Sequence, residues 1–95
     1  MSKILVTENI VGKQMEILKM SFDVRFEPEL WKIPDKLKEI IPEFEALIIR
    51  NQTIITSELI AVASKLKVIG RHGVGIDNVD LDAASQAEVL VTYAP

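Results

Sequence analysis

Residues 67–87 read KVIGRHGVGIDNVDLDAASQA, and this stretch decides the fold. It opens with the apolar run Lys67–Ile69, passes through glycines at positions 70, 73 and 75, and continues into Leu81–Ala87 behind Asp80. A short apolar run indicates a strand, close glycines indicate a turn, and an aspartate before an amphipathic segment is a typical helix N-cap. The stretch therefore predicts a strand–turn–helix unit, the building block of a parallel sheet.

Four more apolar runs lie on either side of this unit: Ile4–Val6, Phe22–Phe26, Ala46–Ile49 and Val89–Val91. Several of the five runs are continuously apolar, as in strands that are covered on both faces of a parallel sheet. The run Phe22–Phe26 instead alternates apolar and polar residues, which indicates an edge strand with one face in water.

Helix-like segments separate these runs. The first follows Gly12 and contains Met15 and Leu18, and the second follows Pro34 and is closed by Pro42. The third covers Ser57–Ser64 behind Thr56, a plausible N-cap.

Strict alternation of strands and helices predicts a parallel sheet with right-handed crossovers. We therefore predict an α/β fold, a flavodoxin-like three-layer sandwich with a five-stranded parallel sheet in the order 2-1-3-4-5. It forms one domain over residues 1–95.

Composition narrows the functional classes. The net charge is −3, and the basic residues are scattered among few aromatic ones, which argues against nucleic-acid binding. The chain has no cysteine, so it has neither disulfides nor thiolate metal sites. No apolar run reaches signal-peptide or membrane length, so no membrane association and a cytoplasmic location are expected.

Doubly wound sheets bind ligands beyond the carboxyl ends of their strands, where the winding reverses. That rule selects residues 7–9, 50–53 and 71–75. Arg50 could pair with an anionic ligand through two hydrogen bonds, or form an ion pair with Glu8 or a helix carboxylate. Asn51 and Thr53 either add hydrogen bonds to the ligand or shape the turn.

The glycine segment offers backbone amides. Gly73, Val74 and Gly75 could turn successive N–H groups into one concavity that holds a carboxylate or phosphate. The alternative is a tight turn without a ligand. The segment does not fit the dinucleotide fingerprint, because the third glycine position holds Asn78 and no acid ends the last strand.

The remaining polar candidates have simpler explanations. His72, the only histidine, is expected at the surface or lining a ligand, without acid–base work. Asp80 and Asp82 suit the start of a helix, and Asp77 with Asn78 ties the loop together, so no metal site is expected. Trp31 either packs at the edge of the core or lies in a contact surface.

Residues 67–80 closely resemble the hallmark loop of the D-2-hydroxyacid dehydrogenases, the family that includes D-3-phosphoglycerate dehydrogenase. Residues 46–53 resemble the family's strand-plus-Arg segment, and residues 56–60 resemble the helix start after it. The resemblance continues through residues 81–84 to the last strand and Ala94-Pro95, whereas residues 8–45 share only the expected layout.

This resemblance implies the substrate-binding domain of an NAD-dependent oxidoreductase that acts on a 2-hydroxy or 2-oxo acid. By the family pattern, the amides of Val74 and Gly75 would hold the substrate carboxylate, while Arg50 and Asn51 would contact the rest of the substrate. The partner implied is a cofactor domain that carries NAD.

The departures from the family pattern set limits. The family's catalytic Arg, Glu and His and its dinucleotide glycines come after the position of Pro95, so no catalytic or cofactor residue is expected here. Asn51 stands where Ser is commoner, and Tyr93 where Asn is usual. The resemblance implies a domain cut before the cofactor domain and inactive alone. The alternative is a separate flavodoxin-like module that binds small anions or self-associates as a homo-oligomer.

Overall fold

The computed structural model describes residues 3–73 and 78–94. Its strands are β1 (Lys3–Val6), β2 (Asp23–Phe26), β3 (Ala46–Ile49), β4 (Val68–His72) and β5 (Leu90–Ala94). Its α-helices are α1 (Lys13–Ser21), α2 (Pro34–Ile40), α3 (Ser57–Val62) and α4 (Leu81–Gln86). Single 3₁₀ turns at Leu30–Lys32 and Ile41–Glu43 flank α2.

All strand pairs are parallel and the sheet order is β2-β1-β3-β4-β5, which confirms the predicted fold and order. β3 and β4 are in register from Ala46 opposite Val68 to Ile49 opposite Arg71. The carboxyl ends of these two central strands therefore stop level with each other, at one edge of the sheet.

The last two strands run further than their apolar runs predict. β4 continues to His72 and β5 to Ala94, because Gly70 pairs with Thr92 and Arg71 with Tyr93 in the ladder between them. Backbone hydrogen bonding carries these strands through glycine and polar residues that interrupt the apolar pattern. In contrast, α3 and α4 end at Val62 and Gln86, short of the predicted Ser64 and Ala87.

Both predicted N-caps are present. The Thr56 hydroxyl accepts a hydrogen bond from the Leu59 amide (3.1 Å), and the Asp80 carboxylate accepts one from the Ala83 amide (3.0 Å). Each cap satisfies one of the orphan donors that start a helix, which fixes where α3 and α4 leave the carboxyl edge.

The two faces of the sheet carry separate apolar clusters. One face packs Leu47 and Ile69 against α2, α3 and α4 in the larger cluster. The second face packs Ile4 and Val6 against Met15 of α1 in a smaller cluster. Among the described residues, no helix is long and apolar enough to cross a membrane.

Candidate functional site

Glu8 organises the loop that follows β3. This residue comes just after β1 and is only 2% exposed. Its carboxylate accepts hydrogen bonds from the backbone amides of Arg50 (2.6 Å), Gln52 (3.1 Å) and Thr53 (3.0 Å), and from the Thr53 hydroxyl (2.6 Å). Four donors on one buried carboxylate satisfy its lone pairs and fix the path of residues 50–53.

These hydrogen bonds are not the ion pair between Arg50 and Glu8 that the sequence analysis gave as an alternative. Glu8 binds the backbone of Arg50, and no carboxylate among the described residues lies within ion-pairing distance of the Arg50 guanidinium. The side chain of Arg50 is exposed at the end of β3. Arg50 thus combines an anchored backbone with an exposed side chain.

Asn78 holds the same loop from the other side. It is 5% exposed, and its amide nitrogen donates to the carbonyls of Arg50 (2.6 Å) and Thr53 (2.8 Å). Its amide oxygen accepts from Arg71 Nε (2.8 Å). The Arg50 backbone is therefore held at its N–H by Glu8 and at its C=O by Asn78, which connects the ends of β1 and β3 with the residue that follows the undescribed residues 74–77.

A short parallel pairing extends this connection. The Ile55 amide donates to the Asn78 carbonyl (2.8 Å), and the Asp80 amide donates to the Ile55 carbonyl (2.9 Å). The predicted role of Asn78 in tying the loop is confirmed, whereas Asp77 lies outside the described residues.

Arg71 places a buried positive charge under the start of the glycine segment. It is 6% exposed, and no described carboxylate lies within 4.0 Å of it. Gly73 has φ +123°, a backbone conformation that favours glycine, and a Cβ there would lie 2.8 Å from Arg71 Nη1, so the end of the arginine side chain would have to shift. The guanidinium adds positive potential where an anion would approach the segment.

Sequence reasoning missed the buried roles of Glu8 and Arg71. The alternation along β4 could have identified Arg71, because it shares the inward face of the strand with Ile69. No local pattern could have identified Glu8, since its partners lie more than 40 residues away along the chain.

Three of the predicted anion-site residues are described by the structure, and all three lie at one edge of the sheet. Arg50 and Asn51 follow β3, Gly73 follows β4, and neighbouring strands are about 4.8 Å apart. Val74 and Gly75 lie outside the described residues, so the proposed amide contacts stay a prediction. Thr53 is excluded as a ligand contact, because its hydroxyl is buried between Glu8 and Thr7 (Oγ1–Oγ1 2.7 Å).

The other sequence candidates lie around this edge. His72 is exposed at the end of β4 and, within the described ranges, has no side-chain hydrogen bond to orient it for acid–base work. Trp31 is half-buried and forms one wall of a groove of about 330 Å³, with Pro34, Ile54 and Leu59 among the other lining residues.

The third glycine position of the dinucleotide fingerprint and the start of α4 both hold side chains that form hydrogen bonds within the protein. Asn78, at the third glycine position of the fingerprint, is buried and fully used inside the protein, and α4 has its first turn capped by Asp80. Within residues 3–73 and 78–94, no three metal-ligating side chains come together. Among the described residues, the exposed Arg50 side chain and Gly73 lie at the same edge of the sheet.

Comparison with known proteins agrees with this architecture. A family model described as D-isomer specific 2-hydroxyacid dehydrogenase, catalytic domain, matches residues 4–95. The D-3-phosphoglycerate dehydrogenase of Methanocaldococcus jannaschii is 40% identical over 95 residues, which is 100% of this chain and 18% of that protein.

Solved structures share the fold closely. A Pyrococcus horikoshii OT3 protein has a TM-score of 0.91 and 33% identity over 99% of this chain and 28% of its own. The NAD⁺-bound 3-phosphoglycerate dehydrogenase of Entamoeba histolytica has a TM-score of 0.84 and 31% identity over 99% of this chain and 33% of its own. The chain thus spans a third or less of each of these relatives.

Proposed function

The chain belongs to the D-isomer specific 2-hydroxyacid dehydrogenase family, and on that premise we propose that it is a single domain that binds the acid substrate of an NAD-dependent oxidoreductase. The substrate class is a 2-hydroxy or 2-oxo acid, and a phosphorylated acid is favoured by the relatives named D-3-phosphoglycerate dehydrogenase. In this proposal the NAD-binding domain and the groups that move the hydride and the proton lie outside these 95 residues.

One observation carries this proposal: Glu8 and Asn78 hold the N–H and the C=O of Arg50 in place, while its guanidinium is exposed. The planar guanidinium offers paired N–H donors that match a carboxylate or phosphate. Because the Arg50 amide is already bonded to Glu8, this residue contributes its side chain alone.

The second half of the proposed site is the glycine segment. Amides at Gly73, Val74 and Gly75 would receive the substrate carboxylate, and Asn51 would add a side-chain hydrogen bond. The buried charge of Arg71 supports anion binding at Gly73 without contacting the ligand, because it lies beneath the backbone there. A cytoplasmic location completes the proposal and rests on the sequence alone.

Titration of the ¹⁵N-labelled chain with D-3-phosphoglycerate tests the proposal. We expect amide shift changes confined to residues 50–52 and 73–75, with weak affinity of about 1 mM because only part of the substrate is enclosed. Arg50→Ala should abolish these changes. Arg50→Lys should weaken them, since the charge remains but the two-point geometry is lost.

Arg25→Ala is the matched control. Arg25 is an exposed cation on β2 that pairs with Glu27 (2.9 Å), far along the sheet from β4. Its removal changes the net charge equally and should leave binding unchanged. Equal loss of binding in both arginine variants would mean nonspecific charge attraction and would overturn the site.

A further inference from the structure

His72 lies beside the place where Arg50 follows β3. The strands β3 and β4 are parallel and in register, and the last pair of the ladder sets Ile49 opposite Arg71. The next residue along β3 is Arg50, and the next residue along β4 is His72. Neighbouring strands are about 4.8 Å apart, so these two residues are adjacent at the carboxyl edge of the sheet.

Strand alternation also places the two side chains on the same face. Successive residues of a strand point to opposite faces of the sheet. Ile48 packs in the smaller cluster on the second face, and Arg50 comes two positions later. Ile69 packs in the larger cluster on the other face, so His72, three positions later, also belongs to the second face. Both residues are exposed, and a guanidinium and an imidazole therefore stand side by side.

The charge around this pair favours an anion. Within residues 3–73 and 78–94, no carboxylate lies within 4.0 Å of either side chain. The carboxylate of Glu8 is buried and bonded to the loop after β3, whereas Arg71 adds a buried positive charge next to His72. Attraction grows with the charge of the ligand, so a doubly charged group is favoured over a singly charged one.

The number of donors distinguishes between two kinds of anion. A carboxylate has two oxygens, and the paired N–H groups of one guanidinium satisfy both. A phosphate monoester has three free oxygens and carries about two negative charges at neutral pH. A ring nitrogen of His72 can donate one hydrogen bond, which supplies a third donor beside the two of Arg50.

We propose that His72 is a specificity-determining residue that binds, together with Arg50, the phosphate of a phosphorylated 2-hydroxy acid. The inference rests on the proposed function, since it takes Arg50 as a residue that contacts the substrate. It adds which group of the substrate Arg50 receives. The carboxylate is then left to the amides of the glycine segment, which begins at Gly73, directly after His72.

NMR of the 95-residue chain tests the proposal without any substitution. His72 is the only histidine, so its ring gives one set of proton signals. At constant pH and ionic strength, D-3-phosphoglycerate should shift these signals. D-glycerate lacks the phosphate and should leave them in place at the same concentration. Equal shifts with both acids, or no shift with D-3-phosphoglycerate, would overturn the proposal.

Two variants test whether the ring acts as a hydrogen-bond donor. His72→Phe keeps a flat ring without a donor and should raise the Kd for D-3-phosphoglycerate at least about fivefold, because a hydrogen bond to a charged group is lost. His72→Gln keeps an N–H donor and should raise it less. The position is exposed, so neither change disturbs the core. Equal losses in the two variants would contradict a donor role.

Lys67→Ala is the matched control. Lys67 is an exposed basic residue at the opposite end of the same strand, where it pairs with Glu45 (3.6 Å). Its removal should leave the Kd for D-3-phosphoglycerate unchanged. A loss as large as that in His72→Phe would mean general charge attraction and would overturn the role of His72.

Arg50→Ala separates this inference from the proposed function. If Arg50→Ala abolishes the binding of D-3-phosphoglycerate and His72→Phe leaves it intact, only the role of His72 is wrong. If Arg50→Ala leaves the binding intact, the proposed function fails, and the role of His72 fails with it.

Discussion

At the scale of single residues, Glu8 determines the shape of the candidate site without belonging to its surface. Its carboxylate receives four hydrogen bonds from residues 50–53, and every one of them crosses from β1 to the loop after β3. A hydrogen bond to a charged group stabilises more than a neutral one, and an unpaired buried donor is costly. Loss of this one side chain therefore affects stability and the position of Arg50 together.

We predict that Glu8→Ala lowers the free energy of unfolding by about 2–4 kcal/mol, because three backbone amides lose their acceptor. Glu8→Gln should cost less, since one acceptor oxygen remains. Urea denaturation measures both. Glu29→Ala is the control and should cost less than about 1 kcal/mol, because Glu29 only pairs with Lys32 at the surface. Equal losses at the two positions would rule out the role of Glu8.

At the scale of elements, residues 78–80 before α4 and the loop after β3 are joined by hydrogen bonds. Asn78 bonds two carbonyls of that loop, and the backbone of Ile55 pairs with the backbone on either side of Val79. Two connections that belong to different crossovers are thus joined at the carboxyl edge. Movement of one requires movement of the other.

We predict that Asn78→Ala separates these elements and costs about 2–3 kcal/mol, since two carbonyls and the Arg71 Nε lose their partner. Hydrogen exchange should accelerate at the Ile55 amide, which donates to Asn78, more than at the Ile60 amide inside α3. Asn51→Ala, in the exposed part of the same loop, should change stability by less than about 0.5 kcal/mol. Uniform acceleration of both amides would contradict a local role.

The elements were more predictable from the sequence than the site. Apolar runs and the caps Thr56 and Asp80 depend on neighbours a few residues away, so the sequence pattern predicts the strand order and two helix starts. The extension of β4 through Gly70 depends on a ladder with β5, and no local pattern encodes it. The same applies to Glu8, whose role arises only after β1 and β3 are adjacent.

At the scale of the whole molecule, the proposed anion site lies at the carboxyl edge of the sheet. Hydride transfer needs a reduced cofactor held against the substrate carbon and an acid–base group beside it. Among the described residues, the site contains Arg50, Asn51 and Gly73, and none of them supplies either requirement.

We therefore predict no turnover by the purified chain with NADH and a 2-oxo acid such as glyoxylate. The rate at which NADH absorbance falls should be the same for the chain, for its Arg50→Ala variant and for buffer alone. An excess rate that disappears in Arg50→Ala would show that this chain carries the reaction, and the proposed division of labour between two domains would then be wrong.

The two-sided anchoring of the Arg50 peptide has a consequence for the kinetics of recognition. In the proposed site, the Arg50 backbone is already fixed by Glu8 and Asn78 before an anion arrives, so at this residue only the side-chain torsions would become ordered on binding. The association rate constants should then be nearly the same for different acids. Discrimination among them would appear in how long each remains bound.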